Sequence, residues 1–152
     1  MEPELSSPVC FATQGDDVYM GYAGRDELVG AIRPLIAAEQ ALARQAGALA
    51  TSNARSIRTD AEHGCAVLAD ALQRLGETSP APDGPLPDMR EPAEPWRALH
   101  DSLDRIVALL HRLIPRVRDE RFRDQLAGLR DRHISSRKAL DQQRDSPSSN
   151  DA

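Results

Sequence analysis

Apolar residues recur every three or four positions in four stretches of this chain, and that spacing constrains its fold more than any other feature. The first stretch runs through Leu28, Ile32, Leu35, Leu42, Ala46 and Leu49. The second runs through Ile57, Ala61, Gly64, Leu68, Ala71 and Leu75, widened by Cys65 and Leu72. The third is Trp96, Leu99, Leu103, Ile106, Leu110, Leu113 and Val117, and the fourth is Phe122, Leu126, Leu129, His133, Ser136 and Leu140. Side chains three and four apart share one helix face, so each stretch predicts an amphipathic helix with one buried seam. The punctuation agrees. Asp26 and Glu27 suit a helix start, Thr51-Ser52-Asn53 a short connection, Gly76 a C-terminal stop and Pro95 a first-turn position. Helix 2 is expected over about Ala54 to Leu75 and helix 4 over about Asp119 to Asp141, with Pro115 ending or kinking helix 3. No strand alternation or internal repeat is present. The reading is an all-α four-helix bundle.

Three segments lie outside this pattern. Residues 1–24 combine Pro3, Pro8, Gly15, Gly21 and Gly24 with Val9, Phe11, Val18, Tyr19, Met20 and Tyr22, which predicts an irregular N-terminal arm packed on the bundle of residues 25–143. The stretch 77–95 holds six of the eleven prolines and predicts a stiff extended connection between two helical pairs. Residues 144–152 lack apolar anchors and are expected to be a disordered tail. Inside helix 1, Pro34 removes the donor to the carbonyl of Gly30 and predicts a kink.

Charge and composition exclude several function classes. The net charge is −5 at a pI of about 5.3, which argues against a nucleic-acid surface. No apolar run approaches the roughly 20 residues that span a bilayer, and the acidic N-terminus has no signal-peptide pattern, so a cytoplasmic chain without a membrane partner is expected. Cys10 and Cys65 form no C-x-x-C pair, and free thiols are the expectation. The charge is unevenly placed. Residues 1–29 carry Glu2, Glu4, Asp16, Asp17, Asp26 and Glu27 against Arg25, while residues 116–144 carry nine basic side chains against five acidic ones. The arm and the last helix are therefore candidate surfaces for a homodimer or a protein partner.

Two seam positions at helix centres are polar: Glu39 in helix 1 and His133 in helix 4. An unpaired carboxylate in an apolar seam is costly, so Glu39 calls for solvent, a proton, a hydrogen bond or a cation. With turns centred near Asn53 and Val117, a rise of about 1.5 Å per residue places Glu39, His133 and His100 in one layer, with Cys65 about a turn away. Two readings follow: a buried Glu39–His133 hydrogen bond, or a single Fe, Mn or Zn ion held by Glu39, His133 and His100. Asp60 and His63 have D-x-x-H spacing but fall on different sides of their seam, and His111 sits near a border. No phosphate-cradle, dinucleotide, G-x-S-x-G or H-E-x-x-H motif is present.

The segments Ser6-Ser7-Pro8-Val9-Cys10-Phe11 and Asp16-Asp17-Val18-Tyr19-Met20-Gly21-Tyr22 resemble the N-terminal signature of an uncharacterised bacterial family of small ferritin-like proteins. Ala38-Glu39-Gln40-Ala41-Leu42-Ala43-Arg44, the stretch Arg58 to Leu68, and Ile114-Pro115-Arg116-Val117-Arg118-Asp119 together with His133 are similar to that family's later segments. The resemblance implies a ferritin-like bundle and metal-linked redox chemistry through Glu39 and His133. The alternative is a non-enzymatic interaction or dimerisation module with a metal-free core. The chain departs from the di-iron carboxylate pattern: Ala61 stands where the family's second-helix Glu is expected, Arg130 stands three before His133, and the third seam carries no carboxylate.

Overall fold

The computed structural model describes residues 20–78 and 94–145. Expectations for the first nineteen residues, for most of the proline-rich connection and for the tail beyond 145 lie outside the described residues. Four helices are present: α1 (Arg25–Gly47), α2 (Ser52–Arg74), α3 (Pro95–Leu113) and α4 (Glu120–Asp145). A 3₁₀ turn, Ile114–Arg116, follows α3.

The boundaries have local causes. Thr51 caps α2, its hydroxyl accepting from the Ala54 N–H at 3.2 Å, and Asp119 caps α4 by accepting from the Phe122 N–H at 2.8 Å. Gly76 ends α2 with a φ of 79°, where a side chain would be strained. Pro34 lies inside α1, which continues through it. α3 ends at Leu113, just ahead of Pro115 as expected, and the chain tightens into the 3₁₀ turn there before α4 begins. Ahead of α1, Ala23 is buried and donates its N–H to the carbonyl of Arg116 at 2.8 Å.

α1 packs on α2 and α3, and α4 also packs on α2 and α3, so α1 and α4 face each other across a diagonal. Most of each seam read from the sequence is core: Ile32, Leu35, Leu42, Ile57, Leu68, Leu99, Leu103, Ile106, Leu110 and Leu126 are all fully buried, whereas Leu28, Leu49, Leu75 and Trp96 are partly buried at its margin and Ile36, off the expected seam, is fully buried. Side-chain contacts set the register. His100 meets Asp141 and Arg137 meets Asp104, so α3 and α4 run antiparallel with Val107 opposite Ile134. Asn53 bonds Gln143 at 3.0 Å and Arg74 stacks 5.9 Å from the centre of the Phe122 ring, which sets α2 against α4.

Candidate functional site

The diagonal helices meet at one polar contact. Glu39 from α1 and His133 from α4 are both completely buried, with Oε1 and Nε2 2.8 Å apart. The bond crosses the centre of the bundle, and the sequence makes room for it on α2. A Cβ at Gly64 would stand 2.8 Å from Glu39 Oε1 and 2.9 Å from its Cδ, closer than atoms can approach. Gly64 is thus the seam residue that lets a carboxylate enter this layer. Leu129 closes the same space, 3.1 Å from that Cβ position.

Burial pushes the Glu39 carboxyl above its ordinary value of 4.5. The hydrogen bond and charge of His133 oppose that push, and Asp60, one turn from Gly64 on α2, adds to it. The hydrogen bond satisfies Oε1 and Nε2, while Glu39 Oε2 and His133 Nδ1 are buried without a partner. Both side chains are removed from solvent, where a hydrogen bond is strong and an unpaired polar atom is costly. Cys65 is half-buried beside it. Burial, with Glu39 and Glu62 adding and Arg44 opposing, pushes the thiol up to about 12. It stays protonated and is a poor nucleophile.

His100 is not in this layer. Its ring is 29% exposed near the far end of the α3–α4 pair, where Nε2 donates to Asp141 Oδ1 at 3.2 Å and Nδ1 lies 3.5 Å from Asp104. The layer count fails because the 3₁₀ turn and the extended residues after it move the pivot of the α3–α4 hairpin from Val117 to near Glu120. His133 therefore lies opposite Ala108, eight residues from His100, or about 12 Å by helical rise. The joint ligand set never assembles. Among the described residues no group of three or more His, Cys, Asp or Glu side chains is placed to hold a metal ion. That overturns the expectation of an Fe, Mn or Zn ion on Glu39, His133 and His100, and the ferritin-like redox reading built on it.

Other sequence candidates behave as surface residues. His63 is exposed and lines, with Asp124, Gln125 and Arg132, a groove of about 780 Å³ between α2 and α4. Asp60 is half-buried, and its effect on Glu39 was not visible in the spacing; the signal that could have shown it is a glycine on the seam facing a polar seam residue. His111 is exposed. No helix among the described residues is long and apolar enough to cross a membrane.

No family model, curated protein or solved structure matches the chain, an outcome consistent with a small uncharacterised family. The four-helix bundle therefore stands without the ferritin-like assignment.

Proposed function

We propose that this chain is a non-enzymatic helical interaction module, whose contact surface for a second copy or another protein combines the N-terminal residues with the last helix. The observation that supports this reading is how charge is distributed. The described residues hold 18 of the 19 basic side chains and 16 of the 24 acidic ones, a net charge of +2. The remaining segments carry −7, of which −4 lies in residues 1–19. On α4, Arg121, Arg132 and Lys138 are exposed, while the Glu39–His133 pair is completely buried. Charged faces of this kind guide association and select partners.

Light scattering across a concentration series tests the self-association form. A dimer is expected, and reversing the exposed charges with Arg132→Glu and Lys138→Glu should weaken it at least tenfold. A full-length chain that stays monomeric at every concentration rejects the dimer.

A further inference from the structure

The α1–α2 hairpin and the α3–α4 hairpin each close on a short turn, residues 48–51 in the first and 114–119 in the second, which fixes the register inside each. No such turn joins the two hairpins. Between positions 78 and 94 the sequence supplies up to roughly 50 Å of extended chain at about 3.1 Å per residue. α3 is roughly 30 Å long at about 1.5 Å per residue. A tether with that slack does not decide how far one hairpin slides along the other.

The apolar seams do not decide it either. On α4 the seam positions around His133 are Leu126, Leu129, Ser136 and Leu140, and on α1 those around Glu39 are Ile32, Leu35, Leu42 and Ala46. A slide of one or two turns, about 5–11 Å, sets Leu, Ile and Ala side chains against others of the same kind. Three polar contacts also join the hairpins: Ser102 donates to Gln45 at 2.8 Å, Asn53 to Gln143 at 3.0 Å and Arg116 to Glu27 at 2.8 Å. Their side chains are half-buried or exposed, so water replaces what a slide takes away.

The central pair behaves differently. Glu39 and His133 are the two buried polar side chains among the described residues, and neither reaches water. A slide of one turn brings Leu129 or Ser136 opposite Glu39 and leaves His133 without a partner in either direction, at the full cost of a buried unpaired group. Gly64 holds the Glu39 end of the contact, because a Cβ there would stand 2.8 Å from Oε1, and its seam neighbours on α2, Ala61 and Leu68, both carry one. The pair satisfies one polar atom on each side chain and leaves Oε2 and Nδ1 without a partner. An apolar layer would avoid that cost; what the pair supplies is choice.

We propose that the Glu39–His133 pair, seated by Gly64, is the register pin of this bundle. It selects the one axial position at which the α3–α4 hairpin closes on the α1–α2 hairpin. The pin acts inside one chain and does not depend on the interaction-module reading. Distances between spin labels on the full-length protein test it. With Cys10→Ser and Cys65→Ala removing the native thiols, labels at Arg55→Cys on α2 and Glu120→Cys on α4 sit at exposed positions on different hairpins, near opposite ends of the bundle. A slide therefore changes their separation almost one for one. Labelled chains diluted in unlabelled ones read distances within a chain. One distance is expected with the native pair, and also with Glu39→Gln, which keeps a hydrogen bond to Nε2. Glu39→Met with His133→Leu should fold and show at least one further distance, displaced by about 5 Å or more, one helical turn. The native single distance in the apolar variant overturns the proposal. An apolar variant that does not fold overturns it as well, because the pair would then hold the bundle together instead of choosing its register.

Discussion

His133 and His100 each take a carboxylate from a helix other than their own, yet they occupy opposite physical regimes. His133 meets Glu39 at the bundle centre, with both side chains at 0% exposure. His100 meets Asp141 and Asp104 at the rim, 29% exposed beside carboxylates that are 50% and 43% exposed. In water, a lost partner is replaced by solvent, so a rim pair contributes little. In the core nothing replaces it, and the partner left behind bears the full desolvation penalty. A polar residue on a seam therefore fixes how the helices must meet, whereas a polar residue at a seam's margin is free to find solvent. The predictions below test that contrast.

The largest effect is expected from breaking the buried pair on one side. His133→Ala leaves the Glu39 carboxyl without a partner and opens a cavity, and it should destabilise the bundle by about 3–5 kcal/mol. Replacing both members with Glu39→Met and His133→Leu should come within about 1 kcal/mol of the native stability or exceed it, since well-packed apolar pairs often match buried ionic ones. Urea unfolding measures both. A single variant as costly as predicted and a double variant equally costly would mean that shape, not polarity, is what the layer requires.

The space around Glu39 gives the next effect. Gly64→Ala puts a Cβ 2.8 Å from Glu39 Oε1. Overpacking costs about 1–3 kcal/mol, against about 1 kcal/mol of helix propensity gained, so a net loss of up to about 2 kcal/mol is expected. In a Glu39→Ala background the clash with the carboxylate disappears, Leu129 Cδ1 at 3.1 Å has room to shift into the vacated space, and Gly64→Ala should stabilise instead. The change of sign across this double-mutant cycle is the measurement.

Protonation sharpens the same point. Burial holds the Glu39 carboxyl above 4.5 in the folded chain. Between 4.5 and that raised value the folded chain keeps a proton the unfolded chain has released, so stability falls as pH rises through the window and is fully present below it. Glu39→Gln should flatten this descent. Unfolding curves collected from pH 4 upward, for both proteins, follow it directly; parallel pH profiles would refute the assignment.

What was legible in the sequence follows from the same physics. The seams of α1 to α4 were readable because burial imposes a 3.6-residue period that neither loops nor surface residues disturb. The Glu39–His133 contact was readable because two polar positions interrupted two apolar seams. His100 was misplaced because axial register depends on the turn. The 3₁₀ step at Ile114–Arg116 and the extended residues through Asp119 carry no periodic signal, and a shift of about three residues in the pivot doubles into a large displacement at the helix end. Gly64 was visible as a seam residue, but its role as space for a carboxylate depends on how the neighbouring helix α1 is set against it, which no local pattern encodes.

The smallest effect belongs to the rim. His100→Ala removes the bond to Asp141 and the proximity to Asp104, yet Arg137 remains paired with Asp104 and water reaches every group involved. The change should be within about 1 kcal/mol, and salt should shrink it further, because exposed charges are screened over a Debye length of about 8 Å at physiological ionic strength. The buried pair should be nearly indifferent to salt. Unfolding of His100→Ala and His133→Ala at low and high salt sets the two side by side. A His100→Ala loss comparable to that of His133→Ala would show that the rim cluster holds the α3–α4 hairpin in register after all, and the distinction between seam and margin would have to be redrawn around the hairpin turn.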